Sequence, residues 1–378
     1  MDAMPWYLDH AATTPVSPEV AELVVRLMTV NYGNAGSRTH AFGLEALREV
    51  RSARERVAAV ASCLPQDVIF NSGATESSNA AILGLAETGR TSGRLHIVTT
   101  SIEHKAVLEP VGRLEKEGFE VTYVAPDRSG RVSEADVVAA IRPDTILVSV
   151  MHANNETGAL QPIDEIAALL GEDGPFFHVD AAQTFGKVDG GYRNPRVDLV
   201  SVSGHKLFAP MGIGCLIVRS GPRRAPLMPQ TVGGGQERGL RAGTVAVPLV
   251  AGFGLAAETA WKARSERRRA CEDIRAAAIT AFNPLRPVVR LPHGGLPHIL
   301  SISFPGIDSE ALMVVLKDVA AVSNGSACTS THYGPSHVLS AMDMPEEEKE
   351  GTIRISWSHA DGNVPWDRIA ARISTMTE

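Results

Sequence analysis

Cysteine and lysine are both scarce in this chain. Its 378 residues contain four cysteines, Cys63, Cys215, Cys271 and Cys328. No two of them form a C-x-x-C pair, which excludes zinc-finger and thioredoxin-type chemistry on spacing and leaves no metal site expected. A disulfide framework is not implied either, so a reducing compartment suits the chain and a cytoplasmic location is expected. Of the 36 basic residues only seven are lysine, at 105, 116, 187, 206, 262, 317 and 349, which leaves few candidates for amine chemistry. No apolar run approaches the 18 residues or so of a membrane span. The N-terminal MDAMPWYLDH carries two aspartates and no basic-then-apolar block, so a signal peptide is not expected. Internal repeats, heptads and low-complexity tracts are absent. The net charge is −7, an overall field that disfavours nucleic acid and acidic membranes, and no direct nucleic-acid binding is expected.

What is present is an ordinary globular composition, 44% hydrophobic and 21% charged, of a length for two or three domains. Short apolar strands at 68–70, 95–99, 120–124, 145–150, 176–179 and 198–202 alternate with helical periodicity at 75–88, 104–117, 133–141 and 162–170. This alternation predicts an α/β fold, a mostly parallel sheet flanked by helices. The strand at 214–219 follows too soon for a crossover helix and is predicted antiparallel. After about residue 245 the pattern changes. A long helix at 249–281 leads to strands at 298–304, 320–323 and 353–357 and helices at 309–317 and 365–376, a smaller α+β unit.

In open α/β sheets ligands bind beyond the carboxyl ends of the strands. Five of the first six strands here end in polar or ionisable stretches: NSGATES (71–77), TSIEH (100–104), MHANNETG (151–158), DAAQ (180–183) and SGHK (203–206). Their convergence on one edge is the strongest indication of an active site. Ser72-Gly73-Ala74-Thr75 precedes a helix whose first amides suit a phosphate, although Thr75 alone reads equally well as an N-cap. Lys206, among small and apolar neighbours, would be desolvated and able to form a Schiff base, where most lysines are solvated surface charges. Asp180 opens a predicted helix; it is either an ordinary cap or the partner of a protonated ring nitrogen. An acid, a phosphate turn and a lysine on successive strand ends are what pyridoxal phosphate requires. His104 would stack on the ring or move protons. Cys63, Cys215 and Cys271 fall in apolar or helical segments and read as small buried hydrophobes. Cys328 lies among Ser, Gly and Thr in SNGSACTSTHYGPS, which predicts an exposed, reactive thiol. Arg354, inside the apolar strand TIRISW, suits a carboxylate better than a surface ion pair.

With YLDHAATTPV, NSGATESSN, HANNETG, HVDAAQ, SVSGHKLFAPMGIG, GGGQERGLRAGT and SNGSACTS in order along nearly the whole chain, the sequence resembles the cysteine desulfurases of the NifS/IscS type, fold-type I pyridoxal-phosphate enzymes among the class V aminotransferases. The resemblance implies that Lys206 holds the cofactor, that Asp180 pairs with the pyridine nitrogen and Gln183 with the ring hydroxyl, and that Ala74, Thr75, Ser203 and His205 bind the phosphate. Thr244 would reach the neighbouring subunit's phosphate, which makes a homodimer with shared sites the expectation. Asn155, Asn34 and Arg354 would hold the substrate carboxylate, and Cys328 would accept sulfur from L-cysteine as a persulfide, leaving L-alanine. It also implies a large domain over 16–260 and a small domain of 1–15 and 261–378 that carries the Cys328 loop.

The sequence departs from the family pattern at His10, at Ala35 and after Arg354, where it reads ISWSHADG. The sulfur acceptor is a protein left open among iron–sulfur scaffolds, tRNA thiolation and DNA phosphorothioation systems. A selenocysteine lyase or related β-lyase is the nearest alternative. An aminotransferase would leave Cys328 without a task, and a catalytically silent binding module would leave Lys206, Asp180 and Cys328 without one.

Overall fold

Strand and helix alternate through the first 220 residues, as the periodicity predicts. A computed structural model describes residues 4–290, 292, 294–325 and 336–376. A short strand β1 (Trp6–Tyr7) precedes helices α1 (Pro18–Thr29) and α2 (Ala41–Ala61). There follow β2 (Val68–Asn71), α3 (Ala74–Gly84), α4 (Ala86–Ser92), β3 (His96–Thr100), α5 (Lys105–Lys116) and β4 (Glu120–Val124). Next come α6 (Glu134–Ala139), β5 (Thr145–Met151), α7 (Ile163–Leu170), β6 (Phe176–Asp180), β7 (Leu199–Ser203) and β8 (Gly214–Val218). The helix expected over 75–88 is divided between α3 and α4 at Leu85, whose amide bonds back to the carbonyls of Ile82 and Leu83. No helix opens at Asp180. The chain there makes successive turns, Phe185 bonding to Ala181 and Val188 to Thr184, and Gly186 at φ 74° ends any helical run.

Seven strands form one sheet in the order β2-β8-β7-β6-β5-β3-β4. All neighbours are parallel except β8, which runs antiparallel to both β2 and β7. Since β2 and β7 both oppose β8, they run the same way. Every strand except β8 therefore presents its carboxyl end at one edge. Apart from the half-exposed edge strand β4, the sheet is buried on both faces, which is why its strands read as nearly unbroken apolar runs. Val148, Val150, Phe177 and Val179 face a core shared with α1 and α2. Ile97, Leu147, Leu199 and Leu216 face another, shared with α3 and α5.

The long helix α8 (Val247–Phe282) has 36 residues, about 54 Å at 1.5 Å per residue. Its first half, with Val250, Phe253 and Ala257, belongs to the sheet core. Its second half, with Cys271, Ile274, Ala278 and Phe282, belongs to a separate core. That core is closed by β9 (Val288–Arg290), β10 (Ile299–Ser303), α9 (Ser309–Leu316), β11 (Ala320–Ala321), β12 (Thr352–Ser356) and α12 (Trp366–Ser374), while α10 (His337–Ala341) packs Val338 and Leu339 with Ile102 and Met151 at the sheet edge and α11 (Glu346–Glu350) has no buried residue. Strands β9, β10 and β12 form an antiparallel sheet. Phe282, Trp366 and Trp357 pack edge to face beneath it, with centroids 5.8 and 5.9 Å apart. The N-terminal segment joins this second core: β1 pairs in parallel with β11, and Leu8 is fully buried there. The chain then crosses to the sheet edge, where Thr14 bonds to the carbonyl of His205. None of the helices among the described residues is long and apolar enough to cross a membrane.

Candidate active site

The five polar strand ends meet in one cavity of about 650 Å³. The end of β2 supplies Ser72, Gly73, Ala74 and Thr75, and that of β3 supplies His104. From β5 come Met151, Ala153 and Asn155, from β6 Asp180, Ala182 and Gln183, and from β7 Ser203, His205 and Lys206. Residues 11–13, Met211, Gly212, Gly325 and Arg354 close the walls.

At β2 the turn is built for an open helix end. Ser77 is the first residue of α3 whose amide has a helical acceptor, the carbonyl of Gly73, so the amides of Ala74, Thr75 and Glu76 have none. Thr75 is thus inside the helix and not its cap. Gly73 holds the cap position at φ 147°, its amide on Asn71 Oδ1 at 3.1 Å, while the Ser72 amide donates to Glu76 Oε2 at 2.8 Å. The neighbouring strand must be bare to admit this turn. A Cβ on Gly214 would lie 2.6 Å from the Gly73 Cα and 2.2 Å from the carbonyl oxygen of Val202.

The next two strand ends carry acid, amide and amine. Asp180 is 5% exposed, and its Oδ1 accepts from the Ala182 amide at 2.9 Å. Gln183 donates through Nε2 to the carbonyl of Ala11, while its buried Oε1 has no partner among the described residues. Lys206 ends a short turn of 3-10 helix, Gly204–Lys206, directly after β7. His205 contacts Thr13 Oγ1 through Nδ1 at 3.1 Å; burial, then Lys206 and Lys187, hold its imidazole down at about 4. His104 caps α5 and is also held down to about 4, by burial first and then by Lys206. Its Nδ1 accepts from the Ala106 amide at 3.1 Å. The neutral ring therefore keeps its proton on Nε2 and offers a donor there, not a base.

Arg354 faces this floor from the second core. It is 5% exposed, pairs through Nη2 with Asp9 Oδ1 at 2.6 Å and donates through Nη1 to the carbonyl of Asn155 at 3.0 Å. Its Nε is buried without a partner among the described residues. Part of the guanidinium is thus already committed, and Asp9 is a site residue to which sequence reasoning gave no role. The signal was the YLDH stretch itself, which precedes the cavity wall at 11–13. Glu103 is a second omission. It lies fully buried one residue before His104, with Oε1 accepting from the Met151 amide at 2.8 Å.

Two expected residues stand elsewhere. Asn34 and Thr244 do not line the cavity and are exposed. Asn34 closes a local turn by accepting from the Gly36 amide at 2.8 Å. Cys328 lies outside the described residues. Cys215 and Cys271 are buried and Cys63 half-buried, and burial pushes the thiols of Cys63 and Cys271 up to about 12, in keeping with inert packing. An acid, an amine, a neutral imidazole and a free helix end on one edge, with a guanidinium opposite, can hold a dianionic aromatic cofactor and an amino acid together.

Comparison with known proteins shows what the chain is similar to. Residues 6–362 match the aminotransferase class-V family. The cysteine desulfurase IscS of Anaeromyxobacter dehalogenans (strain 2CP-C) is 46% identical over 362 residues, 93% of this chain and 87% of that protein. A solved structure described as a NifS-like protein superposes with a TM-score of 0.91 at 36% identity, covering 99% of both chains. Another, described as SspA in complex with cysteine, has a TM-score of 0.82 at 37% identity over 93% of this chain and 98% of that one.

Proposed function

The chain belongs to the aminotransferase class-V family, and from that premise we propose that it is a cysteine desulfurase acting with pyridoxal phosphate. The observation that carries this is the convergence of Asp180, Lys206, His104 and the open end of α3 in one cavity faced by Arg354. The cavity fits the cofactor on its own chemistry. The unpartnered Gln183 Oε1 is an acceptor for a ring hydroxyl, the acceptor-free amides of Ala74 and Thr75 suit a phosphate together with Ser203 and His205, and Asp180 supplies charge for a ring nitrogen. Lys206 would hold it covalently through Nζ. When bound, the cofactor supplies an electron sink for the bonds at Cα and Cβ of the substrate.

The chain's own groups do the rest. Arg354, steadied by Asp9, and Asn155 orient the carboxylate of L-cysteine. Asn34 is expected to share this task, although it stands in an exposed turn outside the cavity of its own chain. Lys206 Nζ takes the Cα proton and returns one to carbon. His104, neutral with its proton on Nε2, would lie against the cofactor and offer a hydrogen-bond donor there. Cys328 Sγ attacks the substrate sulfur; the S–S bond forms as the Cβ–S bond breaks, and the carbon takes up the proton. Cys328 thiol and L-cysteine thus become Cys328 persulfide and L-alanine, with no external oxidant or reductant. A second protein thiol then receives the sulfur.

Thr244, exposed and away from its own chain's cavity, is assigned to the partner's phosphate in a homodimer. The apolar residues left exposed on and after α1 and at the start of α2, namely Val25, Met28, Val30, Tyr32, Phe42 and Leu44, support that interface. The two separate cores support a large domain over 16–260 and a small one of 1–15 and 261–378. We place the enzyme in the cytoplasm on its free cysteines.

The test is intact-protein mass and alanine release after adding L-cysteine to the purified enzyme. One added sulfur on the Cys328 peptide with alanine produced is the expected result. Alanine without persulfide would indicate a lyase. Persulfide formation by a Cys328→Ser variant would remove the nucleophile assignment.

A further inference from the structure

Behind the segment 10–14 lies a second cavity. Ala11, Ala12 and Thr13 line the first cavity, whereas His10 and Thr14 line the second. The body of the second is apolar, with Leu207, Phe208, Leu296 and Trp357 in its walls. Its ionisable lining is almost entirely basic: Lys187, Arg264, Arg267, Arg268, His10, His298 and His359 face it, with the buried Cys271, and no carboxylate among the described residues does. Some of these bases are balanced from outside the cavity. Arg268 pairs with Glu272 at 2.9 Å, Arg264 with Asp189 at 3.6 Å and His10 with Asp361 at 3.2 Å. Lys187 and Arg267 have no carboxylate partner among the described residues. Lys187 Nζ lies 3.4 Å from another base, His298 Nε2, and the Arg267 guanidinium lies over the Phe208 ring at 5.2 Å. The His10 Nδ1 is buried with no partner among the described residues. Burial, then Lys206 and further Arg267, push the Lys187 amine down to about 7, and burial with Lys187 lowers His298 well below its usual value. A desolvated amine and a partly buried guanidinium with no carboxylate in ion-pair reach among the described residues, set in an apolar pocket, are the chemistry that recognises an anion with a hydrocarbon body.

We propose that this second cavity binds a small organic carboxylate, its head on Lys187, His298 and Arg267 and its apolar body against Phe208, Leu296 and Trp357. The site adjoins the catalytic turn. Thr14 Oγ1 donates to the carbonyl of His205 at 2.9 Å and accepts from the Phe208 amide at 2.8 Å, so its wall is shared with the turn bearing Lys206. The proposal goes beyond desulfurase activity and does not depend on it.

Calorimetric titration of the purified full chain with acetate, butyrate and benzoate tests it, because the readout is binding and not turnover. Butyrate or benzoate should bind at one site per chain and at least fivefold more tightly than acetate. Lys187→Met and Arg267→Gln should each weaken that binding at least tenfold, while Arg354→Lys should leave it unchanged. If Lys187→Met loses its thermal transition, Arg267→Gln, at a half-buried helix position, carries the comparison. Binding lost in Arg354→Lys but kept in the other two places the carboxylate in the first cavity and overturns the proposal. So does an absence of binding at tens of millimolar, an unchanged affinity in both cavity variants, or tighter binding of inorganic phosphate than of butyrate.

Discussion

Replacing Glu103 by glutamine should stabilise the protein, and more at high pH than at low. Glu103 is fully buried, with Oε1 accepting from the Met151 amide at 2.8 Å and from Thr100 Oγ1 at 2.7 Å, and with Oε2 lacking a partner among the described residues. Burial raises its carboxyl from an ordinary 4.5 to about 8; the two hydrogen bonds oppose the rise and Asp180 adds to it. The folded chain therefore keeps a proton on Glu103 that the unfolded chain releases. Stability from this group is intact below about pH 4.5 and is lost as pH rises through the folded value near 8. At 1.36 kcal/mol per unit, holding that proton costs about 1 kcal/mol at pH 5 and about 4 kcal/mol at pH 7.5. Glutamine keeps the shape and both accepted bonds without the proton. An entropy of about 2.1 cal/mol/K per residue over a chain of this length makes 1 kcal/mol roughly 1.3 °C in Tm. Calorimetric scans should thus show Glu103→Gln melting about 5 °C above the parent at pH 7.5 and about 1 °C above it at pH 5. A variant that melts lower at pH 7.5, or by the same margin at both pH values, would refute the reasoning.

Gly214→Ala should cost about 2 kcal/mol or more by overpacking backbone against backbone, and should also loosen cofactor retention, because the displaced atoms belong to the Gly73 turn; Tm and the dissociation rate of the cofactor check both. Asp9→Asn removes the charge of the carboxylate paired with Arg354, so KM for L-cysteine should rise severalfold while stability falls by about 3 kcal/mol, as for a broken buried pair; steady-state kinetics and denaturation measure the two. Glu237→Gln should cost a similar amount, about 3 kcal/mol, since Glu237 binds Arg54 at 2.6 and 2.9 Å and the Phe70 amide at 2.8 Å. Lys206→Ala should abolish alanine release and the visible absorbance of the loaded enzyme, and absorption spectroscopy with an alanine assay checks it.

Local chemistry wrote most of the architecture into the sequence. A strand buried on both faces must be apolar throughout, so β5, β6 and β7 were legible as short unbroken runs, and the ten residues between β7 and β8 are too few for a crossover, which fixed an antiparallel partner. The polar stretches after five of the strands named the site before any contact was known, because a sheet whose strands share a direction gathers their ends. Less legible was the exact geometry of the turns at the strand ends. That Asp180 begins turns and not a helix rests on Gly186 as well as on its own cap, and that His104 is a donor rests on the Ala106 amide occupying its Nδ1.

By itself, then, the sequence determined the strand order of polarity, the lysine, acid and imidazole at the sheet edge, and the resemblance that names their chemistry. Only the tertiary structure decided that Arg354 arrives already paired to Asp9, 345 residues away in the chain, that Asn34 and Thr244 stand outside their own cavity, and that Lys187 and Arg267 share a second one. Periodicity and motif report what each residue does to its neighbours in sequence. The state of a buried charge depends on which groups folding brings within a few ångströms, and no local pattern encodes that distance.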